Sequence, residues 1–152
     1  MRLGQAAFEY LVIMGVAMFL IVPGAFLFYK YSMQSSDDMI RTNIHFIGNQ
    51  VVDTVEKVYY IGESSWESIK VELPDNVIWV YVLDNSELVI GYNTQAGISE
   101  AVFFSDINMS TPFIMGNQYF ISDPTSPGNN HTGLTVIKIL SMGRYVLLNE
   151  TK

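Results

Sequence analysis

The sequence predicts an α+β chain, with one long N-terminal helix followed by a small antiparallel β-sheet or sandwich. Three observations carry that expectation. Residues 10–29 form an uncharged apolar run closed by Lys30, and residues 36–61 repeat apolar side chains at helical spacing. After Trp66 the pattern changes to short β-prone runs separated by turn residues.

The chain opens Met1-Arg2-Leu3-Gly4, then Gln5-Ala6-Ala7-Phe8-Glu9, before the apolar run. Twenty helical residues at 1.5 Å each span about 30 Å, the hydrocarbon thickness of a bilayer. Arg2 ahead of the run favours a cytoplasmic N-terminus, and Lys30 lies where it can snorkel to the far interface. A cleavable secretory signal has a shorter apolar region with a small-residue cut site after it. Here the run continues into another helical pattern, so it is expected to be retained. Pro23 removes one backbone donor and crowds the Phe19 carbonyl, which predicts a kink or a loosened turn.

From Ser36 to Ile61 the side chains of Ile40, Ile44, Ile47, Val51, Val55 and Val58 form one apolar stripe. Asp37, Asp38, Arg41, Asp53, Glu56 and Lys57 fall mostly off it. The stripe reads as core against a following sheet, and Gly62 as the helix stop. A helix from Gln5 to Ile61 would be about 85 Å long, far more than a membrane needs.

Beyond Gly62 the strand candidates are 69–73, 77–83, 87–92, 98–104, another within 113–121 around Gly116-Asn117, 133–140 and 144–148. Asp84-Asn85-Ser86 and Ser141-Met142-Gly143 read as hairpin turns, and 123–130 as a loop. The expected division is a helix ending at 61, with its apolar half at 6–31, followed by an extracellular β domain at 62–152.

A net charge of −7 and the lack of a basic stretch argue against nucleic-acid binding. There is no cysteine, so a thiolate metal site and a disulfide framework are both excluded. His45 and His131 are too few for a metal cluster, and Ser35-Ser36 and Ser64-Ser65 lack the context of a nucleophile. No cofactor, metal or catalytic group is expected, and the chain is not read as an enzyme. Trp66, Trp79 and the tyrosines suit a sugar-binding or adhesive surface, but such aromatics on strands more often make core and cross-strand pairs. Three sequons, at Asn108, Asn130 and Asn149, mark candidate N-glycosylation sites near loops or the terminus.

A carboxylate at the mouth of a membrane-length segment is costly unless it has a partner. Glu9 is that carboxylate. Its setting resembles the class III signal peptide of archaeal type IV pilin-like proteins. In that family a short basic leader ends in Gly, the mature chain begins with Gln, and a Glu stands at the fifth mature position before a long apolar helix. Gly4, Gln5 and Glu9 match this register, while Ala7 stands where the family often has Ser. The resemblance covers about the first thirty residues.

It implies leader removal between Gly4 and Gln5 by a membrane prepilin peptidase, and then passage of the helix from the membrane into a filament core by the pilus assembly machinery. The implied product is a cell-surface homopolymer held through its N-terminal helices and used for adhesion. A minor subunit of a surface binding assembly and a monomeric membrane-anchored β domain are the alternatives. Cleavage would expose an α-amine on Gln5 with an ordinary pKa near 8. In a helical assembly that amine can reach Glu9 of an adjacent copy, and breaking such a buried pair costs about 3–5 kcal/mol. Cyclisation of Gln5 to pyroglutamate would remove the charge and leave Glu9 protonated or hydrogen-bonded. On the anchor alternative, Glu9 simply lies at headgroup level.

Overall fold

The structure is a computed structural model describing residues 2–116, 118–121 and 133–151. Side chains are described from Ala7 onward, except those of Tyr119 and Thr151. The chain divides into two compact units, Met1–Asp38 and Met39–Lys152. A single helix, α1 (Arg2–Ile61), supplies all described secondary structure of the first unit and the opening of the second.

Helix α1 begins earlier than the sequence suggested, at Arg2 rather than Gln5. Nothing in Arg2-Leu3-Gly4 breaks a helix outright, so the backbone bonds of the following turns propagate backwards through them. The helix also runs through Pro23 without interruption. It stops where expected. Gly62 takes a φ of +121°, and its N–H donates to the Tyr59 carbonyl at 3.1 Å. The Ser65 hydroxyl lies 2.6 Å from the carbonyls of both Val58 and Gly62, so it supplies a donor to the last turn.

The predicted stripe is the buried face of α1 in the second unit. Ile44, Ile47, Val51, Val55 and Val58 are all buried, and Ile40 packs against the same core. Full burial of each Ile or Val is worth roughly 1.5–3 kcal/mol. Arg41, Asp53 and Lys57 are exposed, Lys57 with its ammonium 2.7 Å from the Glu67 carboxylate.

Nine strands follow among the described residues: β1 (Trp66–Leu73), β2 (Val77–Leu83), β3 (Glu87–Thr94), β4 (Gly97–Phe104), β5 (Met109–Ser110), β6 (Phe113–Met115), β7 (Gln118–Phe120), β8 (Gly133–Ser141) and β9 (Val146–Thr151). They form two sheets, ordered β1-β8-β9-β5 and β4-β3-β2-β7-β6. The second is antiparallel throughout, whereas the first is mixed, because β5 pairs with β9 in parallel. Alternate residues of both sheets enter one core with the α1 stripe, among them Ile69, Val71, Val80, Val82, Leu88, Ile90, Ile137 and Ile139.

Several boundaries moved. β1 starts at Trp66 rather than Ile69, because pairing with β8 continues to Leu140. β9 covers Val146–Thr151 rather than 144–148, since Arg144 and Tyr145 belong to the turn and pairing persists to the end. The two-residue strand β5 was not foreseen. The hairpin at 84–86 was, and Asp84 and Asn85 adopt the positive φ values, 49° and 62°, that such a turn requires. The predicted loop at 123–130 lies outside the described residues.

Candidate assembly surface

In the first unit every described side chain from Ala7 to Ser32 is exposed, with Ala17 alone half-buried. The most apolar 18-residue window there has a mean hydropathy of 2.6, and the helix is long and apolar enough to cross a membrane. Soluble monomers rarely expose contiguous apolar patches beyond a few hundred Å². Burial in lipid or among other helices is the favourable outcome for such a surface. Gly15 and Gly24 leave open space where a Cβ would stand, which permits close approach of a neighbouring helix. The Pro23 nitrogen carries no proton, so the Phe19 carbonyl lacks its usual donor within the helix.

Glu9 is exposed on this surface. It stands one helical turn beyond Gln5, on the same face of α1. Gly4 and Gln5 lie in helical backbone, and the Gln5 side chain is outside the described set. Lys30, at the far end of the uncharged run, holds its ammonium 5.5 Å from the centre of the Phe26 ring. From Glu9 to Lys30 the helix therefore presents one carboxylate and one ammonium at the two ends, with uncharged residues between them.

The other residues singled out by sequence lie in the second unit. Asn108 is exposed between β4 and β5, and its carbonyl accepts the Val146 N–H at 2.8 Å. Asn149 is not past the last strand: it lies within β9, half-buried and paired with Lys138. Asn130 and His131 lie outside the described residues. His45 stands edge-on to the Phe103 ring at 5.5 Å. Ser64 and Ser65 belong to the turn closing α1, Ser65 with its hydroxyl on helix carbonyls.

The aromatics divide between two environments. Trp66 is exposed and lies 5.2 Å beneath the Lys138 ammonium. Trp79 is half-buried, its indole directly over Gly91 on the paired strand. Tyr81 is buried on the same outward face of the five-stranded sheet, 5.6 Å from the Phe120 ring. Its hydroxyl donates to the Glu100 carboxylate and accepts from the Gln118 amide. Burial, followed by the Glu100 charge, pushes the Tyr81 phenol above its ordinary range.

The sequence did not locate the exposed sheet edges. β1 and β4 stand at the ends of their sheets and present large apolar side chains to solvent, Trp66 on β1 and Ile98, Val102 and Phe104 on β4. Alternation in sequence shows which residues share a face, but edge position depends on strand order. Compared with family models, curated proteins and solved structures, the chain matches none.

Proposed function

We propose that the chain is a structural subunit of an archaeal type IV pilus-like surface filament, polymerising through α1 after removal of residues 1–4. The observation that carries this reading is the uncharged run 10–29, exposed at every position but Ala17, on a continuous helix with Glu9 five residues beyond Gly4. The long apolar helix followed by a β unit is compatible with that architecture. On this reading the precursor rests in the membrane with its N-terminus cytoplasmic, and the final environment of the run is other copies of itself. Glu9 then meets the new Gln5 amine of an adjacent copy. Leaving that carboxylate unpaired among apolar helices is costly, and the pair fixes register between subunits. The role is structural, with adhesion as its use, and exposed Asn108 is the described sequon best placed for a glycan.

The mature N-terminus of the surface protein tests the proposal. Intact-mass measurement of sheared surface material should show loss of Met1 to Gly4, with a further loss of ammonia if Gln5 has cyclised. Retention of the four residues on exported protein would sink the filament reading and leave a membrane-anchored β domain. Glu9→Gln should still insert in the membrane yet yield few filaments under electron microscopy. Normal filaments from that variant would remove Glu9 from the assembly mechanism.

A further inference from the structure

The two long edge strands match each other between copies. In the β1–β8 ladder, the Ser141 N–H donates to the Ser65 carbonyl at 2.9 Å, which sets the hydrogen-bonding phase. Glu67, Ile69, Val71 and Leu73 therefore bond to β8, and the backbone groups of Trp66, Ser68, Lys70 and Glu72 point to the open edge. In the β3–β4 ladder, the Ser105 N–H donates to the Ser86 carbonyl at 2.8 Å. By the same reasoning the backbone groups of Ile98, Glu100, Val102 and Phe104 point away from β3. In both strands the residues with outward backbone groups have side chains on the face away from the core.

We propose that β4 of one copy pairs antiparallel with β1 of a second copy, with Glu100 opposite Lys70 and Phe104 opposite Trp66. In this register Val102 faces Ser68, Ile98 faces Glu72, and all eight residues of each strand overlap. Every backbone group on the two open edges then finds a partner in phase. The aromatic pair joins side chains that are 72% and 62% exposed in the single copy. Lys70 and Glu100 are also exposed, and opposite charges placed directly across a strand pair stabilise it. Sliding the strands by two residues sets Glu100 against Glu72 in one direction and against Ser68 in the other.

Among the described residues, a groove of about 420 Å³ lies between Lys70 and Glu72 of β1 and Asn43, Phe46 and Gln50 of α1. Self-pairing of β4 centred on Glu100 would oppose two carboxylates. Centred on Ala101, it would leave Glu100 facing Val102. Pairing β4 to β1 is heterologous, so each copy offers one edge and accepts another, and the contact can extend along an open array. The proposal rests on the filament reading only for the supply of neighbouring copies.

Because the chain has no cysteine, engineered thiols report the contact cleanly. Cells producing full-length S68C and V102C chains together should give a disulfide-linked dimer after mild oxidation. S68C with I98C, displaced by about 13 Å along the strand, should give several-fold less. K70E or E100K alone should lower the S68C–V102C yield, and K70E with E100K should restore it. Equal yields from the matched and displaced pairs, or no restoration, would overturn the pairing. Filaments without the matched cross-link would also overturn it and leave the filament reading intact. The matched cross-link without filaments would support the pairing and count against the filament. Absence of both would end both.

Discussion

The Phe103 ring lies so close to Gly48 that a Cβ at position 48 would fall 2.2 Å from Phe103 Cε2. Glycine inside a helix costs about 1 kcal/mol relative to alanine, so its place on α1 needs a reason. The reason is the close approach of β4 to the helix, with Phe103 buried between the Gly48 backbone and the His45 ring.

Gly48→Ala should therefore destabilise the second unit despite the better helix former. Overpacking typically costs about 1–3 kcal/mol, more than the propensity gain returns. Denaturant unfolding of the full chain in detergent, followed by tryptophan fluorescence, should show an earlier midpoint. Adding Phe103→Leu to Gly48→Ala should recover part of that loss, since the two sites are in contact. Additive losses would show that the ring is not the obstacle.

Tyr81 gives a pH-dependent prediction. Its phenol is raised by burial first and by the Glu100 charge second. The unfolded chain then releases this proton at lower pH than the folded chain does. The stabilisation is fully present below the ordinary tyrosine value near 10 and is lost as pH rises through the folded value. Tyrosinate absorbance compared with Tyr81→Phe should assign the late-titrating group. Glu100→Gln should bring that group's titration to lower pH, and an unchanged titration would show that Glu100 does not act on it.

Much of the fold was legible because local chemistry and tertiary packing agree. The α1 stripe was readable from Ile40 to Val58 because a helix has only one face to bury, and Gly62 marked its end. The hairpin at Asp84-Asn85 was readable because few residues accept positive φ there. The start of β1 was hidden because Trp66, Glu67 and Ser68 show no apolar alternation, and only β8 holds them extended. Glu9 stood out from spacing alone. Lys70 and Glu100 did not, because nothing local shows that their strands end up on edges.

The least legible element, β5, makes the last prediction. Two residues carry too little pattern to read as a strand, and a parallel partner 37 positions away leaves no local trace. Yet Met109 has no solvent exposure, and its N–H donates to the Asn85 carbonyl at 2.7 Å. That bond joins β5 in the mixed sheet to the hairpin of the antiparallel sheet, so Met109 holds the two sheets together through both its backbone and its side chain. Met109→Ala keeps the backbone bond and removes the packing, and truncations of this kind cost about 2–5 kcal/mol. Met109→Leu preserves most of the volume and should cost less than about 1.5 kcal/mol. Denaturant unfolding of the two variants should separate them by at least ~0.5 kcal/mol. Equal midpoints would mean that the side chain is not part of the core that joins the sheets.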